Sequence, residues 1–325
     1  MDSEFAPRIT APAYLRVVPR IGSESAQFII DNVLRFSLKR MAFNNDVVHE
    51  LRKRIALVDH NFVQIADDIR VSRQTCDEVR AEWLEVPQSR LDRVLLYLHG
   101  GAFCFRLPRM QTALIGRWCR RSGARALMPA YRLAPEHPYP AASDDCLTAY
   151  RWLLNSGVPA HNIVICGDSA GGNLKLVTLM RARDEGLPLP AAALLLSPST
   201  DFSLSGRSAT VNEKSDPMFT TPLLRWFGEM YLSEPELHLT PLVSPLTGDF
   251  SDLPPLLFQV GSNEMLLDDA TRAAAKAHGS GVDVRLDVFE GMPHVFQVIG
   301  QLPESKLADR YVAEFLEDKA GWGRI

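Results

Sequence analysis

The stretch Gly167-Asp168-Ser169-Ala170-Gly171-Gly172 constrains this chain more than any other. It follows the apolar run Ile163-Val164-Ile165-Cys166 and precedes a helix-like run from Asn173 to Leu179. Strand, tight glycine turn and helix are the context in which a sheet holds a serine out as a nucleophile. A serine hydroxyl attacks poorly in water and becomes reactive beside a base. The flanking positions must be glycine because a side chain there collides with the neighbouring strand or helix. G-x-S-x-G alone is weak, since it arises by chance in about one chain in ten of this length. The competing reading is a phosphate-binding turn. Against it, no Lys-Ser/Thr pair follows Gly172 and no G-x-G-x-x-G occurs.

The chain has 325 residues, 46% of them hydrophobic, and a formal net charge of −4. That length can build one large core without forcing two independent domains. The mild acidity, with no long basic run, argues against a nucleic-acid partner. No apolar run reaches the length of a membrane span. Met1-Asp2-Ser3-Glu4-Phe5 lacks the basic-then-apolar order of a secretory leader. Cys76, Cys104, Cys119, Cys146 and Cys166 are odd in number and include no C-x-x-C. Neither a disulfide framework nor a zinc site is expected, and a reducing cytoplasm is the expected setting.

Short apolar runs read as strands at residues 93–98, 124–128, 163–166, 192–196, 256–260 and 284–289, with an exposed strand at 79–86. Helical stretches at about 108–121, 141–154, 268–278 and 304–316 alternate with them. The pattern predicts an α/β fold with a mostly parallel central sheet and helices on both faces. Residues 13–60 carry helical periodicity, as in the stretch from Ala26 to Phe36, and no strong strand signal. Residues 199–240 break the alternation with Pro217, Pro222, Pro235 and the aromatic-rich segment Phe219 to Tyr231. The expected division is a helical cap from residues 1–65 and 199–240 over a core of 66–198 and 241–325.

A nucleophilic serine needs a base. His294, in Gly291-Met292-Pro293-His294-Val295-Phe296, follows the last expected strand, and loops after parallel strands converge on the edge that carries Ser169. The base needs a carboxylate. Glu264 lies in the turn after the preceding strand, whereas Asp268 suits an N-cap at the next helix; Glu264 is favoured over Asp268. An oxyanion needs fixed donors. The amide of Ala170 is one source, and the loop His99-Gly100-Gly101-Ala102-Phe103 is the other. His99 itself is read as holding that loop. Phe103, Phe105, Met218, Phe219 and Trp226 are candidate liners of the substrate site, with cap packing as the alternative.

Four ordered motifs now carry a resemblance: His99 to Phe103, Tyr131-Arg132-Leu133-Ala134-Pro135-Glu136-His137-Pro138-Tyr139-Pro140-Ala141-Ala142, Gly167 to Gly172, and Gly291 to Phe296. From Leu91 onward the chain resembles the bacterial hormone-sensitive lipase family of α/β-hydrolase esterases. The resemblance implies a helical cap, hydrolysis of short- to medium-chain acyl esters through Ser169, no metal or cofactor, and frequent homodimers. Val284 to Phe289 and the helix after it are the expected dimer elements. Two positions depart from the pattern. Ala102 stands where the family has a third glycine, which keeps its amide useful if φ is negative, and Glu264 stands where an Asp is usual. A non-catalytic small-molecule receptor on the same fold, and an amidase or lactonase using the same residues, are the alternatives.

Overall fold

The computed structural model describes residues 11–22, 31–32 and 47–323. Its strands are β1 (Leu15–Val18), β2 (Arg70–Cys76), β3 (Val79–Glu85), β4 (Val94–Leu98), β5 (Arg125–Pro129), β6 (Ile163–Asp168), β7 (Ala192–Leu196), β8 (Leu256–Gly261) and β9 (Val284–Phe289). Its helices are α1 (Val47–Phe62), α2 (Pro108–Ser122), α3 (Ala141–Asn155), α4 (Ala170–Asp184), α5 (Ser208–Val211), α6 (Thr221–Tyr231), α7 (Leu267–Gly279) and α8 (Pro303–Ala320). The strands form one sheet in the order β1-β9-β8-β7-β6-β4-β5-β3-β2. Among the described residues only the β2–β3 and β3–β5 pairs are antiparallel.

The expected α/β architecture is present. β4, β6, β7 and β8 are buried at every residue, as a parallel sheet covered on both faces requires. Their side chains alternate between two cores. Leu96 and Leu98 pack with α3, α4 and α7, while Leu95 and Tyr97 pack with α2 and α8. Local chemistry sets the helix ends. Pro108 opens α2, and Gly123 closes it with a left-handed φ of 66° and an N–H to Cys119.

Two expectations change. β1 lies inside the stretch assigned to a helical cap, yet it joins the core sheet in register from Leu15↔Leu286 to Val18↔Phe289. Four residues carry too little pattern to announce a strand; β9 supplies the ladder, and Arg16 fixes it beside Asp287 at 3.6 Å and over the Tyr311 ring at 4.1 Å. Consequently β9 is not an edge strand, and its outer side is closed to a second copy's strand by β1. β3, expected as exposed, is flanked by β2 and β5; β2 is mostly exposed and polar, which hid it. The helical pattern from Ala26 to Phe36 lies outside the described residues except for Asp31 and Asn32, which are helical.

Lys175 is fully buried on α4, and its Nζ donates to the carbonyls of Gly167 (3.1 Å) and Leu194. Burial pushes its pKa down to about 7, against the pull of Cys166 and Asp168. A lysine depressed in the fold takes a proton more readily when unfolded, so between its folded pKa and 10.5 stability rises with pH. Below about pH 7 the penalty is complete. Lys175→Met should therefore be more stable than the parent by roughly 1–4 kcal/mol at pH 6.5. Urea unfolding at pH 6.5 and pH 9.5 checks this, with the gain shrinking at the higher pH.

Candidate active site

Ser169 sits between β6 and α4 with φ 52° and ψ −120°, a backbone conformation that non-glycine residues avoid. The turn is tight because β4 passes close by. A Cβ on Gly167 or Gly171 would lie 2.2 or 1.9 Å from the carbonyl oxygen of Leu98. The Ser169 N–H donates to Leu196 at the end of β7 (2.8 Å), and its own carbonyl accepts from Gly172 (2.8 Å) inside the first turn of α4. The side chain is left partly exposed at the C-terminal edge of the sheet.

His294 follows β9 at the same edge. Its Nδ1 lies 2.7 Å from Glu264 Oε2, and its Nε2 has no partner among the described residues. A neutral ring beside a carboxylate carries its proton on Nδ1, which leaves a bare lone pair on Nε2. Burial lowers the imidazole pKa, but the charge and hydrogen bond of Glu264, helped by Asp216 and Asp168, raise it above the ordinary 6.5. Glu264 is wholly buried, and its Oε1 accepts from the Gly261 N–H (2.7 Å) and from Ser197 Oγ (2.8 Å). The structure thus brings Glu264 and not Asp268 to the histidine. Asp268 is not an N-cap either: it lies inside α7, where its carboxylate accepts from the Ser208 N–H (3.0 Å) and its N–H donates to Ser208 Oγ (2.9 Å).

The glycine loop after β4 needs two corrections. The Gly100 N–H is engaged by Asp168 Oδ1 at 2.9 Å, so Gly100 is not a free oxyanion donor. The amides of Gly101, Ala102 and Ala170 are engaged by no other described residue. Ala102 has φ +52°, not a negative value, and its neighbours Gly101 and Phe103 have φ +119° and +60°. His99 props the loop. Its Nδ1 donates to Gly100 O (2.8 Å), its ring stacks on Tyr131 at 4.0 Å, and burial pushes its pKa down to about 3, which keeps it neutral.

Residues 95–298 match the model of the alpha/beta hydrolase fold family. The chain is 38% identical over 250 residues to an acetyl-hydrolase of Streptomyces hygroscopicus, spanning 77% of this chain and 83% of that one. It is 36% identical over 238 residues to an esterase of Acinetobacter venetianus, spanning 73% and 78%. The crystal structure of an esterase from the bacterial hormone-sensitive lipase family aligns with a TM-score of 0.85 at 36% identity, over 92% of this chain and 100% of that one. The chain belongs to the bacterial hormone-sensitive lipase family of α/β-hydrolases. It is a carboxylic ester hydrolase.

In this esterase the aromatic candidates divide. Phe103 (3% exposed) stacks on Tyr231 with centroids 3.8 Å apart, and Phe105 (4%) meets Phe227 edge-on. Both fasten α6 to the core, so packing claims them rather than an open substrate pocket. Trp226 packs on Phe227 at 5.3 Å. Phe219 is the candidate that reaches the histidine, meeting the His294 ring edge-on at 4.7 Å. Sequence reasoning missed Ser197 and Asp216. Ser197 Oγ donates to Glu264 and accepts from the Val295 N–H (3.1 Å), tying acid and histidine loops together. Buried Asp216 accepts from the amides of Met218 (2.7 Å), Phe219 (2.9 Å) and Met265 (2.7 Å), which pins the insertion to the residue after Glu264. Neither has a motif around it; the one available signal was a small polar residue directly after a buried strand. The left-handed φ of Ala102 predicts that Ala102→Gly raises the unfolding free energy by about 0.5–1 kcal/mol. Urea denaturation of both forms measures it.

Proposed function

We propose that the esterase hydrolyses short- to medium-chain acyl esters through an acyl-enzyme on Ser169. His294 Nε2 accepts the Ser169 proton as Oγ bonds to the ester carbonyl carbon. The same proton passes to the departing alcohol oxygen as the acyl C–O bond breaks. Water then gives a proton to Nε2 and its oxygen to the acyl carbon. The carboxylic acid leaves as Oγ recovers its proton. Glu264 keeps the imidazole in the Nδ1–H tautomer and stabilises it when charged. The amides of Gly101, Ala102 and Ala170 would hold the oxyanion.

One observation carries this reading: a buried imidazole held at Nδ1 by a fully buried carboxylate, with Nε2 unpartnered at the edge where the strained turn presents Ser169. The acetyl-hydrolase among the relatives supports the shorter acyl chains. We assign the cap to α1 and the insertion containing α6, with Phe219 limiting the acyl or alcohol pocket and Met218 and Trp226 as its further candidate liners. The five cysteines are all buried and unpaired, in keeping with a reducing cytoplasm. Among the described residues no helix is long and apolar enough to cross a membrane.

Ser169→Ala should lower kcat for p-nitrophenyl butyrate by on the order of 10⁶, and a serine-directed covalent inhibitor should add one mass increment at Ser169. Retained wild-type turnover in Ser169→Ala would overturn the assignment. Because neutral His294 is the base, activity falls as pH drops through its raised pKa. Glu264→Gln removes the charge that raises it. The acid limb of kcat/KM should then move to lower pH, and kcat should fall by roughly 10³–10⁴. Phe219→Ala should shift the acyl-length profile from acetate and butyrate toward laurate; an unchanged profile removes Phe219 from the pocket.

A further inference from the structure

Three consecutive residues with positive φ, Gly101, Ala102 and Phe103, form the loop that would donate to the oxyanion. Two of them are not glycine, and such backbone persists only where surrounding contacts over-determine it. Some of the restraint is internal. The N–H groups of Cys104 and Phe105 both donate to Gly101 O (2.9 and 2.8 Å), and Ala134 N–H donates to Phe103 O (2.9 Å). Neighbours add to it, with Phe103 stacked on Tyr231 and the Gly100 N–H held by Asp168, and a further set of bonds comes from one side chain on α1. Arg52 Nε donates to Cys104 O (2.8 Å), and Nη2 donates to Ala134 O (2.7 Å). Its remaining donors grip Glu136, with Nη1 to Oε1 at 2.6 Å and Nη2 to Oε2 at 2.8 Å. A guanidinium is a rigid planar fork, so these bonds brace the oxyanion loop against the 131–142 loop, beside the direct bonds from Ala134 N–H to Phe103 O and from Tyr131 Oη to His99 O.

We propose that Arg52 is a positioning residue for esterolysis: from α1 it locks the turn that aims the Gly101 and Ala102 amides, and so couples the seating of that helix to oxyanion stabilisation. The proposal rests on the acyl-enzyme reading above. Oxyanion donors must lie within about 2.7–3.1 Å of the developing charge, and loss of one costs about 10²–10³ in kcat. A turn that keeps its donors but holds them loosely loses less. The Arg52–Glu136 pair holds the Glu136 carboxyl down to about 2, through the hydrogen bond from Arg52 first. The clamp therefore stays charged across the working pH range, and its loss leaves the acid limb set by His294 in place.

The test uses the 325-residue chain with Arg52→Gln, Arg52→Lys and, as a control on the same helix, Arg54→Gln, whose parent side chain meets Glu50 on the surface. With p-nitrophenyl butyrate, Arg52→Gln should lower kcat about 10- to 100-fold with KM changed less than about twofold. A trifluoromethyl ketone, which makes a tetrahedral oxyanion on the serine, should lose affinity by the same factor as kcat. Arg52→Lys keeps the charge without the fork and should recover only a fraction of the loss, and it remains informative if Arg52→Gln does not fold. Arg54→Gln should match the parent. Unchanged kcat in a folded Arg52 variant, a rise in KM alone, or a shifted acid limb each overturns the proposal. Ser169→Ala run in parallel separates the two levels: if it stays active the acyl-enzyme reading fails, whereas an inactive Ser169→Ala beside a fully active Arg52→Gln refutes the clamp alone.

Discussion

The carbonyl oxygen of Leu98, at the end of β4, occupies the space that a side chain on Gly167 or Gly171 would need. This contact forces the chain to leave β6 and enter α4 in a single turn. The turn puts Ser169 into its strained φ and ψ and keeps its hydroxyl out of the helix. The same closeness brings the loop after β4 beside the start of α4. Asp168 can then reach back to the Gly100 N–H and to the Tyr97 hydroxyl. One steric constraint therefore sets both the serine turn and the start of the glycine loop packed beside it.

The histidine side of the site depends on a different force, the cost of leaving charge buried without partners. Glu264 is out of contact with water and survives there because three groups serve its two oxygens: His294, Ser197 and the Gly261 N–H. Asp216 has a similar role at the neighbouring Met265, accepting three backbone amides from two segments. These carboxylates hold the ends of β7, β8 and β9 and the insertion in one arrangement. Buried carboxylates whose oxygens are all served specify geometry more sharply than apolar packing does. That suits a site where a misplacement of about 1 Å can cost two orders of magnitude in rate.

The core strands were legible because each is a short apolar run closed by a turn signal, and Ile163 to Cys166 is the clearest. β1 and β2 were not. β1 is four residues long and takes its partner from residue 286 onward, while β2 alternates too few apolar residues to stand apart from a loop. Local periodicity cannot report a pairing whose partner lies some 270 positions away. The same limit applies to Ser197, Asp216 and Arg52, which act through contacts made far along the chain.

What the sequence by itself determined is the set of chemical groups and their order: a glycine-flanked Ser169, a carboxylate after β8, and a His294 loop after β9. Each is encoded by neighbours in the chain, because turn geometry and strand length are local properties. Only the tertiary structure decided which carboxylate meets the imidazole. Glu264 and Asp268 are four residues apart and carry the same charge, but the turn after β8 aims one inward while α7 turns the other toward Ser208. Only the tertiary structure, likewise, engaged the Gly100 amide with Asp168 and gave Ala102 its positive φ. Hydrogen-bond partners and backbone strain are settled by what packs around a loop, and that packing arrives from distant sequence.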